Sequence, residues 1–229
     1  MNALFLKDLA DKTRRGLRGR VEAGRSGGGN SYGYDVIPGS EGDRGQRRIN
    51  SREAKIITRI FQEYGTGKSP RRIAFDLNQD SVPGPAGRDW GPSTINGNQS
   101  RGTGILNNEL YIGRMIWNRL RYMKNPDTGK RISKLNPTED WIIHDVSELR
   151  IVDQDLWDAV KARQEAVAKN TRPNAKITKP FWERTRPKYL PSGLMKCEAC
   201  GGSYTKISQN LFGCATARNK GTCDNRLNI

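Results

Sequence analysis

The chain has 229 residues, enough for one large domain or two smaller ones. Lys and Arg number 40 against 24 Asp and Glu, and the formal charge of +16 favours a polyanionic partner, since each phosphate neutralised releases condensed counterions. Hydrophobic residues make up only 34% and the mean hydropathy is -0.80, so the core is modest; no run is long and apolar enough for a transmembrane helix, and the basic segments lack the apolar helical face that a membrane surface requires.

The apolar patch at residues 3–6 is too short for a signal peptide, and Asp8 follows closely, so a cytoplasmic protein is expected. Leu6, Ala10, Thr13, Leu17 and Val21 recur at helical spacing and predict a helix over 3–24. Arg14, Arg15, Arg18 and Arg25 lie largely off that stripe. Gly16 and Gly19 weaken the helix interior by roughly 1 kcal/mol each, so it needs a partner surface. The glycines at 27–29 cannot continue it, but they permit close approach to another backbone.

Residues 31–50 are turn-rich, with Tyr32 and Tyr34 as expected anchors. Ser51 is the expected cap of a helix whose apolar face is Ile56, Ile57, Ile60, Phe61 and Tyr64, stopped by Gly65. Ser69 and Pro70 open a second helix with Ile73, Ala74 and Leu77 inside. Trp90 and Ile95 anchor a third helical segment over 93–101. A strand is expected over 111–117, paired with 141–143. Asp153 then caps a helix with Leu156, Trp157, Val160 and Val167 facing inward. Residues 169–191 carry four prolines and seven basic residues against one acid, the composition of a linker.

Three helices followed by strands form a pattern that often places its last helix in the major groove. Here that helix offers Ser93, Thr94, Asn96, Asn98, Gln99 and Arg101. Asn and Gln pair bidentately with adenine, and Arg with guanine. Arg25, Gly27 and Gly28 belong to a thin loop suited to a narrow minor groove. From 101 to 134 eight basic residues stand against two acids, and linker residues Arg172, Lys176, Lys179, Arg184, Arg186 and Lys188 extend the basic material. These are expected to touch phosphates, which position without specifying.

All four cysteines fall late: Cys197, Cys200, Cys214 and Cys223. A Cys-x-x-Cys turn followed by glycine aims two thiolates at one ion, and four thiolates make a closed, structural zinc site. Buried free thiols or a redox pair are the alternatives. His144 stands apart from any cysteine or nucleophile and reads as structural. No cluster of Ser, Asp or Glu points to acid-base or nucleophilic work.

The run DKTRRGLRGRVEAGRSGGG at 11–29 resembles the end of the long helix that leaves the catalytic domain of large serine recombinases. GILNNELYIGR at 104–114, with Trp117, Asn118 and Arg119, is similar to that family's recombinase-domain signature, and the cysteines to its zinc ribbon. The resemblance implies an α+β protein: a helical DNA-binding domain with a small hairpin or sheet, then a zinc β-ribbon. It implies the tail of a catalytic-domain helix at 1–24, a recombinase domain at 25–168, a basic linker at 169–191 and a zinc ribbon at 192–229. It further implies sequence-specific binding to a double-stranded attachment site for DNA integration, with the parent enzyme assembling as dimers and tetramers. The serine domain and the coiled coil of that family have no counterpart here, so no cleavage is expected from this chain alone. A stand-alone zinc-containing transcriptional regulator and an RNA-binding zinc-ribbon protein are the competing readings.

Overall fold

The computed structural model describes residues 3–39, 45–171, 189 and 191–229. In chain order the elements are α1 (Ala3–Glu22), β1 (Tyr34–Val36), β2 (Arg47–Ile49), α2 (Ser51–Gly65), α3 (Pro70–Gln79), α4 (Pro92–Asn96), β3 (Arg114–Trp117), β4 (Leu120–Lys124), β5 (Arg131–Leu135), β6 (Ile142–Asp145), α5 (Gln154–Thr171), β7 (Tyr204–Lys206), β8 (Phe212–Cys214) and α6 (Ala215–Lys220). The strands pair antiparallel as β1–β2, β3–β6, β4–β5 and β7–β8, so the described residues form an α+β protein of helices and two-stranded sheets. They divide into two units. The first comprises Met1–Gln62 with Gly97–Trp157, and the second Glu63–Asn96 with Asp158–Ile229.

The core of the first unit is aromatic. Tyr34, Tyr111, Phe61, Ile57 and Leu106 are almost fully buried. The Tyr34 ring stacks on Tyr111 at 6.0 Å, Phe61 meets Tyr111 edge-on at 6.3 Å, and Phe61 stacks on Trp157 at 5.7 Å. Each phenol needs a partner once buried. The Tyr34 hydroxyl donates to Leu149 O at 2.8 Å, with Leu110 O at 3.0 Å sharing the proton, and Tyr111 donates to Tyr32 O at 2.9 Å. Burial raises the pKa of both phenols, Tyr34 and Tyr111, well above the usual tyrosine range. Ile142 and Ile143 pair with Trp117 and Ile116, as their β-branched run predicts.

In the second unit, Ser69 caps α3 by accepting from Arg72 N at 3.2 Å, with Pro70 at its first position. Ile73, Ala74 and Leu77 are buried, and so are Trp90 and Ile95. Asn78 clamps Trp90: its Oδ1 accepts from Trp90 N at 2.8 Å and its Nδ2 donates to Trp90 O at 3.0 Å. Arg163 donates to the carbonyls of Tyr64, Gly67 (2.6 Å) and Lys68 (2.9 Å), satisfying acceptors at and beyond the end of α2. The same guanidinium lies 4.2 Å from the Tyr64 ring centroid.

Several local expectations are corrected. The stripe on α1 is mostly exposed: Leu6 is 50% exposed, Ala10 and Thr13 are also exposed, and only Val21 is buried. The cap of α2 is Asn50, whose Oδ1 accepts from Arg52 N at 3.1 Å and Glu53 N at 3.2 Å, while Ser51 is already helical. Residues 109–112 form a 3-10 turn, because Asn108 accepts from Leu110 N, and the strand begins only at Arg114. The third helix stops at Asn96. Gly97 adopts φ +50°, where a Cβ would strike the Thr103 backbone, and Asn98 then turns the chain by accepting from Arg101 N at 3.1 Å. Tyr32 and Leu156 are only half-buried, and Val167 is exposed.

Replacing Tyr34 by Phe keeps the stack but removes the proton that serves two buried carbonyls. The expected loss of unfolding free energy is about 1–3 kcal/mol by urea denaturation. An unchanged midpoint and slope would show that the hydroxyl contributes nothing.

Candidate nucleic-acid interface and metal centre

The first unit contains an open cleft of about 690 Å³. Arg14 from α1, Arg47 from β2, Arg101 and Gly102 from the turn after Gly97, Arg114 to Trp117 from β3, Arg119, and Arg121 from β4 line it, together with Ser26, Gly27 and Gly28. Six arginines therefore line one hollow whose lining holds a single carboxylate, Glu109. Glu109 accepts from Arg119 at 2.6 Å and lies 3.6 Å from Arg114. Arg119 also lies 4.6 Å from the Trp141 ring centroid, which fixes its plane. Arg47 donates to Gly29 O at 2.6 Å, and burial lowers its pKa, with Tyr34 acting the other way. Arg101 donates to Ser133 O at 2.9 Å. Rigid, planar guanidinium forks suit phosphate oxygens.

Gly27 explains how the loop after α1 forms one wall. A Cβ there would sit 2.7 Å from Trp117 Cδ1 and 3.0 Å from Val21 Cγ2. The close approach expected to another backbone is made at Gly27 to side chains instead, the Trp117 indole first, while a Cβ at Gly28 or Gly29 would meet nothing within 4 Å.

Of the residues singled out from sequence, Arg14, Gly27, Gly28 and Arg101 come together in this cleft. Arg15 and Arg18 are exposed on α1, and Arg18 pairs with Glu22 at 2.8 Å. Arg25 is half-buried outside the lining. Ser93, Thr94 and Asn96 lie on α4 in the second unit, whereas Asn98, Gln99 and Arg101 belong to the first, so the expected single reading helix is divided. Arg172, Lys176, Lys179, Arg184, Arg186 and Lys188 lie outside the described residues. Sequence reasoning missed Arg47, and it took Arg114, Arg119 and Arg121 only as members of the basic stretch 101–134 expected to touch phosphates, not as one set with Arg14 and Arg47. The available signal was the arginine beside Trp117 and Asn118 in the signature motif.

In the second unit, Cys197, Cys200, Cys214 and Cys223 bring their sulfurs within 4.8 Å of one another. Cys197 and Cys223 are 3.9 Å apart, and Cys200 and Cys214 3.5 Å. A tetrahedral site with metal–sulfur bonds near 2.3 Å places sulfurs about 3.8 Å apart, so the donor set fits one metal ion. Cys214 closes β8, and α6, absent from the sequence reading, leads toward Cys223. N–H donors surround the sulfurs: Asn225 Nδ2 to Cys197 at 3.1 Å, Gly202 N to Cys200 at 3.4 Å and Ala217 N to Cys214 at 3.5 Å. The Asn225 amide is the largest cause holding Cys197 down to about 6, and Gly202 N–H lowers Cys200. The Asn225 backbone N–H also pulls on Cys223, but burial and the neighbouring sulfurs outweigh it and push that thiol up to about 12. Asn225 Nδ2 lies equally close, at 3.1 Å, to Tyr204 Oη, so one amide orders both a ligand and the hairpin beside it.

Asn225→Ala is therefore expected to weaken metal binding by about 10- to 100-fold in chelator competition, the range for lost outer-shell partners. An affinity equal to the parent's would remove Asn225 from the site.

The family model described as Recombinase matches residues 51–167, just over half of the chain. No curated protein matches. A solved structure described as "Crystal Structure of a LSR-DNA Complex" is similar at 18% identity and a TM-score of 0.45, covering 90% of this chain and 55% of that one. Another, from work on the sequence requirements of the Listeria innocua prophage attP site, shows 17% identity and a TM-score of 0.43, covering 93% of this chain and 77% of that one. This chain thus spans little more than half the length of the first of these. On the family match, the chain belongs to the recombinase family of the large serine recombinases.

Proposed function

We propose that this chain binds duplex DNA sequence-specifically, as the attachment-site recognition portion of a large serine site-specific recombinase. The observation that carries the reading is the cleft lined by six arginines and one already engaged carboxylate. Such a surface attracts a phosphate backbone, and the formal charge of +16 reinforces it. Membership of the recombinase family supplies the biological setting. A stand-alone regulator or an RNA-binding ribbon draws no comparable support.

Within this reading, residues 1–24 continue a helix from the cutting domain, 25–168 form the recombinase domain, 169–191 a basic linker that tracks phosphates, and 192–229 the zinc ribbon. Arg15, Arg18 and Arg25 join Arg14 along the duplex. Ser93, Thr94, Asn96, Asn98 and Gln99 supply base contacts from two separate segments. The metal is zinc, held by the four cysteines as a closed structural site that leaves no position for catalysis. The parent protein acts as a homo-oligomer on its site.

Metal analysis is expected to find one zinc per chain; a metal-free protein with a disulfide between any two of these cysteines would sink the assignment. In fluorescence anisotropy with duplex DNA, six phosphate contacts give a log–log salt slope of about -5. Exchanging Arg47 and Arg121 for Ser should make that slope shallower by about 1 for each phosphate no longer neutralised, and weaken all sequences alike. A slope near zero for the parent chain would end the DNA reading.

A further inference from the structure

The β4–β5 hairpin rises from the lip of the cleft, and its chemistry goes beyond phosphate contact. Leu120 pairs with Leu135 at the root and Lys124 with Arg131 near the tip. Its base is fixed, since Asn136 Nδ2 donates to Asn118 O at 2.7 Å, and Arg101 holds its middle by reaching Ser133 O, opposite Tyr122. Its tip is ordered as well: Asn125 Oδ1 accepts from Asp127 N at 2.8 Å, and Asn125 N donates to Lys130 O at 2.8 Å. Between these ends β4 is exposed from Arg121 to Lys124. Tyr122 is 56% exposed and Met123 40%, and the Arg131 guanidinium lies 3.9 Å from the Tyr122 ring centroid. Asp127 is the one acid on the hairpin.

A solvated phosphate-binding arm has no use for an exposed Tyr and Met. A groove floor does, because thymine methyls and base edges offer apolar contact alongside hydrogen bonds. Two strands about 4.8 Å apart, with side chains on both faces, match a B-DNA major groove about 12 Å wide. The deep, narrow major groove of A-form RNA does not admit them. Five residue pairs at about 3.3 Å each span about five base pairs.

We propose that the β4–β5 hairpin is a two-stranded reading ribbon that enters the major groove of B-form DNA beside the arginine cleft. Arg121 and Met123 face the duplex from one side of the ribbon, Tyr122 and Lys124 from the other. The proposal rests on the duplex-binding reading given above.

The test selects bound duplexes from a randomised DNA library, using the full chain and two variants. Tyr122→Ala removes the stacked ring. Met123→Ala with Lys124→Ser and Lys130→Ser alters the outer hairpin and touches nothing that lines the cleft. Far-UV circular dichroism and metal content confirm that each variant keeps its fold. The parent is expected to select a defined motif. Tyr122→Ala should select the same motif with preference relaxed at about one or two base pairs, and the triple variant should relax it at several positions within the same stretch of about four to six base pairs. A parent chain that selects no motif overturns the DNA reading itself. A parent that selects one while both variants reproduce it in full overturns only the ribbon. Equal affinity of the parent for an A-form RNA duplex of the selected sequence also overturns the ribbon, since that groove excludes it.

Discussion

One phenol holds the first unit together. Tyr34 follows the glycine-rich loop, yet its hydroxyl serves carbonyls at Leu110 and Leu149, and its ring lies on Tyr111. Three stretches far apart in sequence therefore meet at one buried proton. The lining of the cleft depends on this junction. Arg47 lies on β2, whose Ile49 is the register partner of Tyr34, and Arg114 follows directly on the 3-10 turn that carries Tyr111. Long-range contacts of this kind are slow to form but fix positions well.

The parts of the fold legible in sequence were those with a local cause. The period of Ile57, Ile60, Phe61 and Tyr64 marks α2, and Ser69 with Pro70 marks the start of α3. Trp90 and Ile95 were identifiable as anchors because large apolar residues amid polar ones have few other uses. The cysteine cluster was legible because metal geometry constrains spacing tightly.

The rest was not legible, for physical reasons. The stripe on α1 defines an apolar face but not whether anything covers it, and in this structure most of it is exposed. Tyr111 and Ile112 are good strand residues, but Asn108 caps a 3-10 turn instead, since a nearby side-chain acceptor outweighs a weak propensity. The reading helix ends early because Gly97 and Asn98 favour a turn. The arginine set was hidden most deeply: its members come from six places in the chain, and only the tertiary fold makes them neighbours.

The last stretch of the chain carries a different dependence. Its buried cluster is Cys197, Cys214, Ala217 and Cys223 with Tyr204 packed against them, so the clustered thiols are themselves most of the core. A module built this way has little apolar burial to fall back on, and with the proposed ion bound its folding free energy would be largely metal-binding free energy. Supply of that ion would then govern how much competent protein forms. An oxidant that captures one thiol removes a strut and a filler of the interior in a single event. Metal supply and redox stress would thereby gate this segment together.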